Sequence, residues 1–301
     1  MHISVKIFSI VIVTIYLFSA CGQKTDTQNY KAEIKQWHKE REQRLTKPDS
    51  WLSLAGLFWL KEGENRFGAD KSNDIVFPEK KAPALIGRFF VRDGKVKVIL
   101  RKDLQVTIDG ASIREKTLMT DVDGEPTILR FGSLSWYVIK RGEQFLIRLK
   151  DSANPAIKNF TGIELYPVDK QWRVNARLEP YDPPKKLEIA NVLGQVSRTD
   201  CPGALVFEID GKEYRLDVQG KWGDKSWFLN FTDETSGRET YSAGRYLVLD
   251  APDEKGVTVM DFNKAYNPPC AFSPYATCPL PPKQNHLKVA IRAGEKNYGH
   301  H

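Results

Sequence analysis

Downstream of residue 60 the apolar positions come in short alternating runs separated by Asx-Gly pairs, a period-two pattern of half-buried strands. Runs at Ile86–Val91 and Val96–Leu100 flank Asp93-Gly94, and Val106–Ile108 leads into Asp109-Gly110. Further runs follow at Thr127–Phe131, Leu134–Lys140 and Phe145–Leu149. A turn cluster at Asp151-Ser152-Ala153-Asn154-Pro155 marks a candidate boundary. Beyond it Trp172–Leu178 alternates, and Glu179–Lys186 (EPYDPPKK) reads as a proline-rich loop that breaks the strand. Leu187–Leu193, Ala204–Ile209, Glu213–Val218, Trp227–Phe231, Tyr246–Leu249, Val257–Phe262 and Leu287–Ile291 then read as strands, with an Asp210-Gly211 hairpin turn.

Two stretches depart from this period. Tyr30–Leu45 carries Ile34, Trp37, Arg41 and Leu45 at helical spacing and stops at Lys47-Pro48. Its narrow apolar stripe predicts a helix lying against a folded unit, with His38 on the surface. Trp51–Leu60 (WLSLAGLFWL) predicts a helical turn that becomes a buried strand near Leu57–Leu60. The resulting fold class is mostly β: an N-terminal helix, a β-sandwich, then a second β-rich barrel- or sandwich-like unit. The expected organisation is a lipoprotein signal peptide over 1–20, tether and helix over 21–50, a sandwich over 51–151, and a β-rich C-terminal unit over 152–301.

The leader assignment rests on Lys6, the apolar run 7–18 and the sequence Phe18-Ser19-Ala20-Cys21. This end resembles the lipobox of bacterial lipoproteins, with Phe18 where Leu is usual. The resemblance implies cleavage before Cys21, acylation there, and a periplasm-facing position in the cell envelope; more than one acyl chain is needed for durable anchoring. An ordinary signal peptide is the plainer alternative. Removing residues 1–20 takes away only Lys6 among the charged residues, so the net charge of +7 becomes +6. Basic and acidic residues are interleaved, as on a solvated surface, so no nucleic-acid partner is expected.

The order Gly63-x-Asn65-x-Phe67-Gly68, Asn73-Asp74-Ile75-Val76-x-Pro78, then Val106-x-Ile108-Asp109-Gly110 resembles a forkhead-associated (FHA) β-sandwich, over about Leu57–Asp151. Phosphothreonine-binding members carry an Arg after the glycine and a Ser-x-x-His motif. Here Ala69 follows Gly68 and Ala82–Phe89 offers neither Ser nor His. No phosphopeptide partner is expected.

The region Asp261–Glu295 holds six prolines and two cysteines among amides and aromatics. Together with Asp233-x-Thr235-Ser236-Gly237, Glu239-Thr240-Tyr241 and Ala243-Gly244-Arg245 it resembles the domain-of-unknown-function 1684 family. The motifs that carry this are Asp261-Phe262-Asn263-x-Ala265-Tyr266-Asn267-Pro268-Pro269-Cys270, Cys278-Pro279-Leu280-Pro281-Pro282 and Ala293-Gly294-Glu295. Gly56-Leu57-x-Trp59-Leu60-x-x-Gly63 also fits. The family name brings no activity with it.

In an oxidising envelope Cys270 and Cys278 are the natural disulfide pair, leaving Cys201 as a buried thiol beside a Pro202-Gly203 turn. Two Cys at that spacing without neighbouring His match no common zinc pattern, so no metal is expected. No Gly-x-Gly-x-x-Gly or phosphate loop is present, so no cofactor is expected. Ser236 lacks a nucleophile elbow, and His286 would have to serve any His-dependent triad. Asp233, Glu239, Asp261 and Glu295 supply carboxylates, Arg245 a cation, Asn263, Asn267 and Asn285 amides, and Tyr241 and Tyr266 aromatic faces. Converging, this set suits a small polar or sugar-like ligand in the C-terminal unit. Two of the carboxylates could instead act as acid and base in a hydrolase on envelope glycan or peptide. A structural envelope module is the third reading, with Arg245 paired to Asp233 or Glu239 as a brace.

Overall fold

The computed structural model describes residues 26–299, so Cys21 and the expected leader and anchor lie outside the described residues. Among those residues no helix is long and apolar enough to cross a membrane. Residues 26–45 form the helix α1. Its stripe is seated as the spacing requires, with Ile34 and Leu45 buried, but the surface placement of His38 is corrected: it is 5% exposed. It faces the C-terminal half, one turn from Ile34, with Nε2 against the Asn263 carbonyl.

The N-terminal half is built from β1 (Leu54–Trp59), β2 (Gly63–Gly68), β3 (Ile75–Val76), β4 (Gly87–Arg92), β5 (Lys95–Leu100), β6 (Thr107–Ile108), β7 (Ala111–Ser112), β8 (Glu115–Leu118), β9 (Leu129–Phe131), β10 (Leu134–Arg141) and β11 (Gln144–Asp151). They form a six-stranded sheet, β1-β11-β10-β9-β6-β7, and a five-stranded sheet, β3-β2-β4-β5-β8. Both sheets face one core centred on Phe67, Phe77, Phe89 and Trp136, with the Phe67 and Phe89 rings stacked at 4.3 Å. The Asx-Gly turns have positive φ at both residues, 51° and 68° at Asp93-Gly94 and 50° and 81° at Asp109-Gly110, the primed geometry that matches strand twist. The segment 51–60 differs in detail from its pattern. A single helical turn, Trp51–Ser53, precedes β1, and Trp59 is 45% exposed because β1 is the sheet's edge.

The C-terminal half contains the short helix α2 (Pro155–Lys158), then β12 (Arg173–Ala190), β13 (Val196–Ile209), β14 (Lys212–Asp217), β15 (Ser226–Asp233), β16 (Arg245–Asp250), β17 (Val257–Asp261) and β18 (His286–Leu287). The sheet orders are β14-β13-β12-β17 and β16-β15-β18. Phe207, Phe231, Phe262, Trp227 and Met260 fill the core between them.

Three expectations are revised here. The proline-rich segment does not break its strand: β12 runs through it to Ala190, and pairing with β13 slips between Pro180 and Lys185. Pairing with β17 stops at Arg177, so the prolines sit on an edge at a bulge, where no ladder N–H is required. Pro202-Gly203 is no turn but part of β13. A Cβ on Gly203 would meet the Glu179 carbonyl at 2.4 Å, so glycine lets the hairpin strands close at the bulge. Cys201 is fully buried beside it, and burial, with Asp217 nearby, pushes its thiol up to about 11. Finally, of the expected strand over Leu287–Ile291 only His286–Leu287 pairs, parallel to Thr232–Asp233. The rest is held largely by side chains, with isolated backbone bonds at Val289, Gly294 and Glu295.

The Cys270–Cys278 bridge is present, with Cα atoms 6.1 Å apart. Its loop lies at the junction of the halves: Cys278 and Ala276 pack against Leu54 and Tyr246, and Arg148 of β11 donates to Thr277 Oγ1 at 3.0 Å. Leu280 N donates to the Ala190 carbonyl and Val192 N to the Cys278 carbonyl, joining this loop to the tip of the β12–β13 hairpin.

Candidate functional site

The polar residues singled out in the sequence fall into separate networks. Arg245, on β16, is 1% exposed. Its Nη2 donates to Asp233 Oδ2 at 2.6 Å and to the Ile291 carbonyl at 2.8 Å, and Nη1 donates to the Ala293 carbonyl. The other Asp233 oxygen accepts from Thr235 N at 2.6 Å and from its hydroxyl at 2.5 Å. This pair ties the strand-poor return, residues 288–295, to the sheet. Gly294 permits the close approach: its φ is +74°, and a Cβ there would meet the Ala265 carbonyl at 2.3 Å.

Glu295 is fully buried and pairs with Arg41 of α1. It also accepts from Asn267 N at 2.6 Å. Arg41 donates to the Asn267 carbonyl at 3.0 Å, and its guanidinium sits 4.4 Å above the Tyr266 ring. Asn267 Nδ2 donates to the Lys296 carbonyl at 2.7 Å. Asp261 accepts from the Tyr30 hydroxyl at 2.9 and 3.0 Å and from Asn263 N at 3.1 Å. Burial and the Asp261 carboxylate raise the Tyr30 phenol above its ordinary value. Asn263 clamps both backbone groups of Asp169, donating at 2.8 Å and accepting at 3.1 Å.

His38 Nε2 lies 2.7 Å from the Asn263 carbonyl. A carbonyl only accepts, so Nε2 carries the proton. Burial holds this imidazole below its ordinary 6.5. The folded state therefore binds fewer protons than the unfolded chain below that value, and its contribution is full above about pH 6.5 and falls as pH drops. Urea midpoints measured between pH 7.5 and 5 should fall more steeply for the wild type than for His38→Gln; equal slopes would refute this.

Asn285 is fully buried and works as a stitch between strands. It accepts from Asp217 N at 2.8 Å and donates to the Asp217 and Asn230 carbonyls at 2.8 and 3.1 Å. Glu239 lies at the surface, bonded by Arg292 at 2.9 Å and by the Tyr166 hydroxyl at 2.9 Å. Those partners hold its carboxyl below the usual range, while burial and Glu239 push Tyr166 up to about 12. Tyr241 packs against the cluster of Leu45, Leu52 and Phe272. The expected convergence is thus corrected: Asp233, Arg245, Asp261, Asn263, Asn267, Asn285 and Glu295 are bonded internally as braces, and Tyr266 lies under Arg41. The reason is energetic. A strand-poor return must satisfy its buried backbone groups largely by side chains, and such groups are costly when left unpaired.

Of the residues singled out, Asp261 lines a surface cleft of 360 Å³ with Arg173 and Lys264, and Glu239 one of 350 Å³ with Arg238 and Lys296; a third cleft is lined by a different, largely neutral set. This cleft, of 260 Å³, lies where the β12–β13 hairpin, the β10–β11 turn and the disulfide loop meet. Asn191, Gln195, Ser197 and Thr199 come from the hairpin, Gln219 from the segment after β14, Thr277 and Pro279 from the loop, and Arg141 and Gly142 from the turn. The hairpin tip is organised by Asn191, whose Oδ1 accepts from Leu193 N at 2.9 Å and Gln195 N at 3.1 Å, an Asx turn. Its Nδ2 donates to Gln195 Oε1 at 3.0 Å, and Gln195 Nε2 reaches the Arg141 carbonyl at 3.2 Å. Gln219 Nε2 donates to Asn230 Oδ1 at 2.9 Å, and Asn230 in turn donates to the Pro279 carbonyl at 3.2 Å. Amides are therefore pre-oriented around the space, and Ile189, Val196 and Pro279 give it an apolar flank. The lining has no carboxylate or imidazole, and its one cation, Arg141, is paired with Asp121 at 2.6 Å.

Sequence patterning missed this cleft. One signal was available: Gln195, Ser197 and Thr199 fall at spacing two, the last two on one face of β13 and the first just before it. Gln219 and Thr277 are brought in by tertiary packing alone.

Comparison with curated proteins returned no match. Among solved structures, an uncharacterized protein of Haloarcula marismortui is 30% identical with a TM-score of 0.40, over 48% of this chain and 80% of that one. An FHA domain from Chlamydia trachomatis is 18% identical with a TM-score of 0.23, over 33% of this chain and 95% of that one. Residues 158–296, which hold α1's partners, the Asp233 and Glu295 carboxylates and most of the cleft, match the model of a family described as a protein of unknown function (DUF1684), and this region belongs to that family.

Proposed function

We propose that this chain is a lipid-anchored envelope protein whose cleft binds a small polyhydroxylated ligand. The observation that carries the reading is the lining itself: amides and hydroxyls of Asn191, Gln195, Ser197, Thr199, Gln219 and Thr277 beside an apolar flank. Neutral groups that both donate and accept are the complement of sugar hydroxyls, and clefts between packed units are frequent ligand sites. The hydrolase alternative needs two carboxylates facing a common space. Asp233 and Glu295 are instead buried in separate ion pairs, and Glu239 is engaged by Arg292 and Tyr166.

Two tests follow. Titration of the full chain with a panel of neutral hexoses and disaccharides should give saturable binding, and Thr199→Val with Gln219→Leu should weaken it at least tenfold. An unaffected double variant would remove the cleft from consideration. The anchor is carried by Phe18-Ser19-Ala20-Cys21. Cys21→Ser should move the protein from the membrane to the soluble fraction, and undiminished membrane retention would refute acylation there.

A further inference from the structure

The cleft has a charged back wall. Arg148 of β11 is 5% exposed, and its Nη2 donates to Thr277 Oγ1, which lines the cleft. Its Nε is buried without a partner. Its Cζ lies 5.9 Å from the Trp51 ring centroid, and among the described residues no carboxylate bonds to the guanidinium. Lys150, two positions along the same strand face, is also a cation, directed to the Asp49 carbonyl. Arg245, likewise buried, has the Asp233 carboxylate at 2.6 Å. A buried cation without a counter-charge is costly, and among the described residues no carboxylate offsets this one.

We infer that the ligand of this cleft is anionic, a sugar acid or sugar phosphate whose charged group is held by Thr277 with Arg148 behind it. This rests on the cleft being the binding site. Thr277 Oγ1 accepts from Arg148, so its own hydroxyl hydrogen is free to donate forward, into the cleft. The relay turns a fixed buried charge into a hydrogen-bond donor at the wall, strengthened by the guanidinium behind it. The amides and hydroxyls of the hairpin then read the uncharged part of the ligand. Arg141 at the mouth is already neutralised by Asp121, so the preference depends on the back wall.

The test compares neutral hexoses with their uronates and 1-phosphates by calorimetric titration of the full chain. The acidic forms should bind at least tenfold more tightly than the neutral ones. Arg148→Met should abolish that preference, bringing the acidic forms to within threefold of the neutral hexoses measured on the same variant. Should Arg148→Met fail to fold, Thr277→Val, which removes only the relay hydroxyl, must reduce the acid preference instead. Equal affinity for neutral and acidic forms, or a preference that survives both substitutions, overturns the inference and leaves neutral binding in the cleft standing. No binding by any member of the panel overturns both.

Discussion

Replacing Arg245 by Met is expected to destabilise the protein by about 3–5 kcal/mol, the range found when one member of a buried ion pair is removed. Asp233, fully buried, would be left charged with only Thr235 as a partner. The Ile291 and Ala293 carbonyls would lose their donor at the same time. Urea unfolding measures the cost directly. Adding Asp233→Asn should recover a substantial part of it, because the second change removes the stranded charge. A single-variant cost below about 1 kcal/mol, the range of surface pairs, would show that the pair contributes little.

The second large effect is expected at Glu295. Its side chain is fully buried and that of Arg41 is 12% exposed, so Glu295→Ala should cost about 3 kcal/mol, the lower part of the buried-pair range. The loss should be uneven. Glu295 fastens α1 to the Asn267 turn, so amide protection in residues 30–45 should fall first, while β10 and β11 keep theirs. Hydrogen exchange resolved along the chain reads this pattern. Uniform loss of protection would mean that the helix and sheets unfold as one unit.

Both predictions concern residues that looked chemical in the sequence and proved architectural. Side-chain type carried no warning, since a carboxylate beside an arginine suits a ligand site and a buried brace equally well. What separates them is whether polar groups remain free once the chain has folded. In Arg245, Asp233 and Glu295 they do not. Arg148 shows the opposite case: nothing in Ile147-Arg148-Leu149 hints at function, yet burial without a counter-charge singles it out. His38 illustrates the same limit on a smaller scale. Helical spacing placed Ile34 and Leu45 correctly, but the width of the buried face depends on what the helix lies against.

The cleft depends on contacts distant in sequence. The hairpin tip at residue 191, the β10–β11 turn at residue 141 and the loop at residue 277 meet because a long hairpin reaches back over a disulfide-closed loop. The loop itself is fixed on three sides, by the bridge, by Leu54 and by the hairpin. A rigid loop holds Thr277 and Pro279 in place before any ligand arrives, which reduces the ordering cost of binding.

The chain's local chemistry by itself determined the mostly β class, the position of α1, the Asx-Gly hairpin turns and the Cys270–Cys278 pairing. Each of these follows from interactions between near neighbours, whether period, turn conformation or a short loop. Tertiary structure alone decided that β12 continues through its prolines, that the return after Leu287 is held largely by side chains, and which polar residues face open space. Those outcomes depend on partners up to about 250 residues away, as Arg41 and Glu295 are, and on whether burial leaves a polar group paired. No local pattern records that.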